Sequence, residues 1–280
     1  MGAASPAELL KLTRPANCVI AFASVAVGAG MGGVPPHTGR TFLACLSAAL
    51  IAAGGNAFND ACDEASDRFN QPHRPVASGS ISAATARRIA WVLFGIGGGL
   101  SLSLGPQAVG VALLAIAGLW AYNVHLKRVP LIGNGTVSVI CGLSLIYGGL
   151  AAGRIGAAVV PAGFAFLIHF GREVLKDVED MEGDAAVGSG SLALARGVRA
   201  ALKLAVTTFT FLIAVTPLPF LWGPYQWPYL VLVLFPVDVV LVHVILSIRR
   251  DPSRANLTRM DQLLKANMVF GLVALWAGRG

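Results

Sequence analysis

Residues 41–68, TFLACLSAALIAAGGNAFNDACDEASDR, join about twenty mostly apolar residues directly to a cluster of four acids. The apolar part matches the roughly 20 residues that an α-helix needs to cross the hydrocarbon core of a bilayer. Acidic side chains near membrane depth are costly unless they face a polar cavity and meet a partner. This stretch therefore predicts a transmembrane helix that ends in acids with a functional purpose.

The rest of the chain has the same apolar character. Of its 280 residues, 55% are hydrophobic and 12% are charged, and the mean hydropathy is +0.70. These values exclude an ordinary soluble domain. We predict an all-α fold, a polytopic membrane bundle of nine transmembrane helices that forms one domain over residues 1–280.

The nine predicted spans are placed where apolar stretches lie between Gly, Pro and charge clusters. An amphipathic segment near residues 6–14 precedes them and is expected to lie along the membrane interface. The spans are expected near residues 16–34, 41–62, 84–104, 107–126, 132–152, 156–176, 199–221, 227–248 and 261–277.

Basic residues are distributed unevenly over the loops of this arrangement. All but three of the 21 Lys and Arg residues fall on the side that holds the N-terminus, and the three exceptions are Arg40, Arg154 and Arg279. Lys and Arg accumulate in short cytoplasmic loops, so the N-terminus and both acid clusters are predicted to face the cytoplasm of a cell membrane. The same rule accounts for the net charge of +7 without a nucleic-acid partner.

Ten of the 14 acids lie within residues 60–67 and 173–184. Both segments contain four polar residues at the spacing 4, 3, 4, which predicts one face of a helix. We call them the first ladder (Asn56, Asp60, Asp63, Asp67) and the second ladder (Glu173, Asp177, Asp180, Asp184). Two carboxylates about 4 Å apart at an effective dielectric near 20 repel by roughly 4 kcal/mol, so ladders that face each other would bind protons or gather cations.

Oxygen ligands without His or Cys favour a hard cation, and Mg²⁺ completes its coordination with water and substrate phosphates. A diphosphate substrate is therefore indicated. Basic residues beside the ladders can clamp phosphate oxygens, although they can equally mark helix ends or anchor headgroups. These residues are Arg68, Arg74, Lys127, Arg128, Arg172 and Lys176.

The segment from Asn59 to Gly79 (ND-x-x-D-x-x-x-DR, then Asn70, Pro72, Arg74-Pro75 and Ser78-Gly79) resembles the first aspartate-rich motif of the UbiA superfamily of intramembrane prenyltransferases. The segment Lys176-Asp177-x-x-Asp180-x-x-x-Asp184 resembles the second motif, and residues 12–17 and 122–128 fit the same pattern. Residues 130–134 and 172–184 are most similar to the digeranylgeranylglyceryl phosphate synthases of that superfamily, which make the second ether bond of archaeal lipids.

The resemblance implies that the bundle surrounds a central cavity with a lateral opening to the bilayer. It implies two Mg²⁺ ions, one held by Asp60, Asp63 and Asp67 and one by Asp177, Asp180 and Asp184, which would be the catalytic residues. The substrate-binding residues would be Asn56, Asn59, Arg68, Arg74, Lys127, Arg14, Asn17, Arg172 and Lys176.

The implied reaction is the Mg²⁺-dependent transfer of a geranylgeranyl group from its diphosphate to the free hydroxyl of geranylgeranylglyceryl phosphate, with release of pyrophosphate. The expected partners are a prenyl diphosphate donor, a lipid or aromatic acceptor, and the bilayer. Arg14 or Lys176 is expected to hold the phosphate of the acceptor.

Two alternatives stay open at this stage. The acceptor can be an aromatic compound such as 4-hydroxybenzoate, as in quinone synthesis, or the chain can be a cation-coupled transporter whose ladders are transport sites. Glu173 can be a base or a structural partner of Arg172. Asp238, His243 and His169 are ionisable groups inside predicted spans, where a structural pair is at least as good an account as a functional one.

Overall fold

The computed structural model describes residues 5–35, 38–186, 188, 190–223 and 225–279, and within these ranges it contains helices and loops but no strand. The all-helical prediction is confirmed. The helices are α1 (Pro6–Thr13), α2 (Pro15–Met31), α3 (Gly39–Cys62), α4 (Glu64–Asn70), α5 (Ala83–Ser101), α6 (Pro106–Val124), α7 (Ile132–Ala151), α8 (Ile155–Glu179), α9 (Met181–Ala186), α10 (Leu192–Arg196), α11 (Val198–Val215), α12 (Leu218–Trp222), α13 (Trp227–Leu232), α14 (Val239–Arg250) and α15 (Arg254–Ala277). Short 3₁₀ turns follow α5 and α6, and a π-helical segment, Val233–Asp238, joins α13 to α14.

Local signals explain where several helices begin. The Ser82 hydroxyl accepts a hydrogen bond from the Thr85 amide at the start of α5, and Ser253 does the same for Asn256 at the start of α15. Such side chains satisfy amides that have no partner in the first turn of a helix. Pro106 begins α6, where its missing amide costs nothing.

Six segments are long and apolar enough to cross a membrane, namely α3, α6, α7, α8, Val198–Trp222 and Trp227–Arg250. The pair α1 and α2, bent by 50° with respect to each other, makes a seventh if it counts as one span. The helices α5 and α15 also coincide with predicted spans, but both carry Arg residues within their first two turns, which lowers their mean hydropathy. The chain is therefore a multi-pass membrane protein, while the count of nine spans is not confirmed.

Small residues allow the helices to approach closely. A Cβ atom on Gly148 of α7 would lie 2.8 Å from the amide nitrogen of Ala29 on α2. The Ser47 hydroxyl of α3 donates a 2.7 Å hydrogen bond to the carbonyl of Gly97 on α5. Small residues at helix contacts are typical of membrane bundles, where close backbone approach replaces hydrophobic exclusion from water.

Three apolar cores fill the bundle. The first includes Phe58 and Phe94 and draws mainly on α3, α5 and α6, while the second includes Phe209 and Leu241 and draws on α8, α11, α14 and α15. The third surrounds Tyr229 of α13. The first ladder lies at the end of the first core, and the second ladder at the end of the second. Each half of the molecule thus supplies one ladder.

Both ladders cross a helix break at the same relative position. The helix α3 ends before Asp63 (φ −97°, ψ 9°), and α8 ends before Asp180 (φ −92°, ψ 2°). The expectation of one unbroken helical face is therefore wrong at the third residue of each ladder. These backbone angles lie in the sparsely populated bridge region, where active-site residues are often found, and they place Asp67 on α4 and Asp184 on α9.

Candidate active site

Each acid of the first ladder contacts a cation from another part of the chain. Asp60, which is only 1% exposed, forms an ion pair with Arg14. Both oxygens of Asp67 accept 2.7 Å hydrogen bonds from Nη1 of Arg74, which also lies 3.9 Å from Asp60. Lys127, in the turn after α6, forms an ion pair with Asp63. Predicted substrate-binding residues and predicted metal ligands are thus brought together.

The second ladder has fewer partners. Oδ2 of Asp177 accepts a 3.2 Å hydrogen bond from the amide of Leu192, and Oδ2 of Asp180 lies 3.9 Å from Nζ of Lys176. Asp184 has no ion pair within the part of the chain that the structure describes. Negative charge is therefore less well balanced on this side.

The ends of the two ladders are in contact, because α4 packs against α9. Nδ2 of Asn70 donates a 3.1 Å hydrogen bond to the carbonyl of Asp180. A Cβ atom on Gly183 would lie 2.7 Å from Oδ1 of Asn70, so the contact depends on glycine at this position. Arg254, at the start of α15, also donates to the Asn70 carbonyl at 3.0 Å. The two acid-rich segments meet around one buried asparagine.

Asparagine side chains align the first ladder. Nδ2 of Asn17 donates to Oδ1 of Asn56 at 3.2 Å, and Asn56 donates to the Thr13 carbonyl at 2.9 Å. Nδ2 of Asn59 lies 2.7 Å from Oδ2 of Asp63 and 2.8 Å from Oδ1 of Asn123. These bonds connect α2, α3 and α6 beside the carboxylates and hold Asp63 in place.

The remaining predicted basic residues pair with acids outside the first ladder. Arg68 is exposed and pairs with Glu64, one turn away on α4. Nη1 of Arg172 lies 2.9 Å from Glu173, and Nε lies 2.7 Å from Asp261 on α15. The structure therefore supports a contact of Glu173 with Arg172, and it directs Arg68 away from the ladder carboxylates.

Burial changes the acidity of groups at the edge of the site. Desolvation lowers the pKa of Lys127 to about 8, partly opposed by nearby negative groups, among them Asp184. Desolvation raises the pKa of Asp184 to about 6, and the neighbouring Asp180 adds to the effect. The pKa of Asp67 is raised for the same first reason, although Arg74 opposes the shift. The site therefore contains more acidic than basic side chains, and these groups are poorly accessible to water.

The ladder side chains can coordinate a metal ion only through oxygen atoms, and oxygen ligands favour a hard cation. Oδ2 of Asp60 and Oδ1 of Asp180 are buried and have no hydrogen-bond partner, one on each ladder. Such orphaned carboxylate oxygens are available as metal ligands. No three acid, His or Cys side chains of the described residues already lie close enough together to enclose an ion. The donor set therefore fits Mg²⁺, with part of the coordination left to water and substrate.

An apolar chamber lies between α2, α7, α8, α11, α13 and α15. Ile20, Leu145, Ile168 and Met268 line it, and His169 is the titratable side chain of α8 on its wall. Asp238 is not one of the lining residues, and its carboxylate accepts hydrogen bonds from Thr216 at 3.1 and 3.2 Å. His243 lies on the exposed surface of α14. Asp238 therefore forms a structural pair.

Several polar residues at the site were not among the predicted site residues. Asn123 binds Asn59, Asn70 joins the two ladders, and Asp261 with Lys265 forms a 2.8 Å ion pair beside Arg172. Asp261 and Lys265 lie four residues apart in a predicted span. Ionisable residues inside a span are functional candidates by default, and that signal was available.

Comparison with known proteins gives a consistent result. The model of the UbiA prenyltransferase family matches residues 19–270. A digeranylgeranylglyceryl phosphate synthase from Methanopyrus kandleri is 38% identical over 268 residues, covering 96% of this chain and 97% of that protein. The protein of the same name from Sulfolobus acidocaldarius is 37% identical over 270 residues, covering 96% of each chain.

Solved structures have the same fold. A structure of digeranylgeranylglyceryl phosphate synthase is 26% identical to this chain, with a TM-score of 0.75 and coverage of 97% of both chains. A UbiA homologue from Archaeoglobus fulgidus, solved with GPP and Mg²⁺, is 18% identical, with a TM-score of 0.69 and coverage of 96% of this chain and 99% of that one. The second similarity concerns the fold alone.

Proposed function

Because the chain belongs to the UbiA prenyltransferase family, we propose that it transfers a geranylgeranyl group from geranylgeranyl diphosphate to the free hydroxyl of geranylgeranylglyceryl phosphate. The observation that best supports prenyl transfer is the hydrogen bond between Asn70 and Asp180, which joins the ends of the two ladders. It brings the acids and cations of both ladders towards one site that suits a diphosphate. The acceptor rests on the relatives, which are 38% and 37% identical over nearly the whole chain.

The cations of the first ladder would orient the donor. Arg14, Arg74 and Lys127 already lie against the ladder carboxylates. Arg and Lys form strong, charge-assisted hydrogen bonds to phosphate oxygens. Positive groups held ready where negative charge develops stabilise the departing pyrophosphate at little reorganisation cost. The bond from C1 of the donor to its diphosphate oxygen breaks, and the electron pair leaves with the pyrophosphate.

Two Mg²⁺ ions fit the proposal, with Asp60, Asp63 and Asp67 as ligands of one and Asp177, Asp180 and Asp184 as ligands of the other. When bound, Mg²⁺ supplies additional positive charge to the leaving pyrophosphate. Asn59 and Asn123 hold Asp63 in position for this role.

The apolar chamber would protect the allylic cation that remains. Its wall excludes water from the reacting carbon, so that the acceptor hydroxyl adds instead. A carbon–oxygen bond forms, and the hydroxyl proton is released. Both substrates carry long isoprenoid chains, so they would enter from the bilayer through a lateral opening while their charged groups meet the ladders.

The distribution of basic residues supports an orientation for the site. All but three of the 21 Lys and Arg residues lie on one side of a nine-span arrangement. We infer that this side, with the N-terminus and both ladders, faces the cytoplasm.

The test is a product assay with purified protein in lipid bilayers. Geranylgeranyl diphosphate and Mg²⁺ are supplied with geranylgeranylglyceryl phosphate or with 4-hydroxybenzoate, and the product is identified by mass. We expect Mg²⁺-dependent pyrophosphate release and the double ether product from the lipid acceptor. A prenylated aromatic product instead would overturn the acceptor assignment. Ion flux without pyrophosphate release would identify a transporter.

Variants at the two helix breaks test the site itself. Asp63→Asn and Asp180→Asn should each lower the rate of pyrophosphate release by at least about 100-fold, because each removes a proposed ligand of a Mg²⁺ ion that would stabilise the leaving pyrophosphate. Asp251→Asn is the matched control, since Asp251 is exposed and lies outside both ladders. Normal turnover by both ladder variants would contradict the assignment.

A further inference from the structure

We propose that Lys265 on α15, together with Lys176 on α8, binds the phosphate of the acceptor lipid, whose isoprenoid tail lies in the apolar chamber. This inference rests on the proposed function and deepens it. It assigns a role to Lys265, which no sequence motif indicated.

Asp261 organises the cations between α8 and α15. One of its oxygens lies 2.7 Å from Nε of Arg172, and the other lies 2.8 Å from Nζ of Lys265. Asp261 itself is only 6% exposed. Since a buried carboxylate of this kind is stable only when it is paired, the arrangement fixes where Lys265 and Arg172 lie. Asp261 is therefore a positioning residue.

These cations lie at one end of the apolar chamber. Ile168 and Met268 line the chamber. Arg172 follows Ile168 by four residues, and Lys265 precedes Met268 by three, spacings that place each pair on one helix face. The helices α8 and α15 run in opposite directions, because Arg172 pairs with Asp261 while Glu179, further along α8, contacts Thr258, which is earlier on α15. Arg172 and Lys265 therefore cap the same end.

Lys176 and Lys265 have hydrogen-bonding capacity to spare. A Lys ammonium has three donors. Among the described residues, Nζ of Lys176 forms one ion pair, at 3.9 Å from Asp180, and the Lys265 side chain is 42% exposed while it pairs with Asp261. By contrast, the cations of the first ladder are already engaged with its carboxylates. An incoming phosphate would find free donors beside the second ladder.

Charge repulsion favours two separate sites for the substrates. The donor carries a diphosphate, and the acceptor carries a phosphate, so both cannot share one set of cations without mutual repulsion. A molecule with an anionic head at Lys176 and Lys265 and an apolar tail beside Ile168 and Met268 matches both the charge and the lining of this place. The acceptor has this form.

The experiment compares two acceptors that differ only in the phosphate. Purified protein in bilayers is supplied with geranylgeranyl diphosphate, Mg²⁺ and either geranylgeranylglyceryl phosphate or geranylgeranylglycerol, and KM and kcat are measured. Lys265→Gln should raise KM for the phosphorylated acceptor by about 10- to 100-fold, as expected for a lost hydrogen bond between charged groups. KM for the unphosphorylated acceptor and for the donor should not change.

Three further variants complete the design. Lys176→Gln, on a different helix, should cause the same selective loss, and Lys265→Arg should keep most of the affinity. Arg259→Gln removes an exposed charge from the same helix as Lys265 and should leave all KM values unchanged.

The outcomes separate this inference from the proposed function. If Lys265→Gln and Lys176→Gln impair both acceptors equally, or neither, the phosphate site is wrong while the reaction stands. If the unsubstituted protein converts neither acceptor, the proposed function fails and this inference fails with it.

Discussion

The two ladders share their residue spacing and their helix break, but they differ in how the chain balances their charge. Asp60, Asp63 and Asp67 each contact a cation contributed by another segment. In the second ladder, Asp177 accepts a backbone hydrogen bond, and Asp180 lies 3.9 Å from the nearest ammonium. The same spacing therefore occurs in two electrostatic environments.

This difference indicates which side has the greater need for an added cation. An Arg partner opposes the rise in pKa that burial causes, as Arg74 does for Asp67, whereas neighbouring carboxylates without such a partner raise each other's pKa. Asp184 shows the effect, because burial and Asp180 raise its pKa to about 6. We expect the first ladder to depend on its own arginines and the second ladder to depend on Mg²⁺.

Removing a cation should therefore destabilise the first ladder far more than the second. Arg74→Gln leaves Asp67 and Asp60 buried without their shared partner, and breaking such a pair costs about 3 kcal/mol of unfolding free energy. Lys176→Gln should cost about 1 kcal/mol or less, since its pair is longer and partly exposed. Unfolding in detergent without Mg²⁺ measures both. Arg74→Lys should lose an intermediate amount of unfolding free energy. Equal losses in Arg74→Gln and Lys176→Gln would contradict the proposed difference between the two ladders.

Mg²⁺ should act mainly through the second ladder. A ligand at 100 times its Kd stabilises the folded state by about 2.7 kcal/mol, so Mg²⁺ should raise the unfolding midpoint relative to EDTA. Asp184→Asn should remove most of this gain, whereas Asp67→Asn should remove less because Arg74 already competes for Asp67.

The control for the Mg²⁺ experiment is Asp251→Asn, which should retain the full gain. An undiminished gain in Asp184→Asn would show that the second ladder does not hold the ion that stabilises the fold.

The contact between the ladders should tolerate no added methyl group. Gly183→Ala would drive a Cβ atom against Asn70, which is buried and hydrogen-bonded to both Asp180 and Arg254. Overpacking of this kind costs about 1–3 kcal/mol. Gly135→Ala on α7 has free space at the same atom and should stabilise by about 0.5–1 kcal/mol. The unfolding midpoint and the rate of pyrophosphate release are measured for both variants. If both quantities are unchanged in Gly183→Ala, the close contact between Gly183 and Asn70 is not needed for stability or activity.

Hydropathy and residue spacing predicted much of this molecule. Each apolar segment proposed as a span is largely helical, and the spacing of the ladders identified Asp180, whose carbonyl accepts a hydrogen bond from Asn70. The two helix breaks were not predictable, because neither Asp63 nor Asp180 is a Gly or Pro and the interruption serves the packing of α4 on α9.

Ion pairs between segments that are distant in the sequence were also not predictable. Arg172 suggested a phosphate ligand because it stands beside the second ladder in sequence, but its contact with Asp261 depends on how α15 packs against α8. Arg14 was recognised only through its motif, and its pairing with Asp60 depends on the bend between α1 and α2. Tertiary packing, rather than local pattern, decides these pairs.

Arg14 also occupies a left-handed backbone conformation, with φ 50° and ψ 74°, where the chain turns from α1 into α2. Glycine is the residue that adopts this conformation without strain, and replacing a strained residue by glycine is a common way to make a protein more robust. Glycine is not a useful replacement at this position. It would relieve the backbone strain between α1 and α2, but it would also remove the guanidinium that pairs with the buried Asp60. Tolerance to heat and readiness for catalysis compete at this single position.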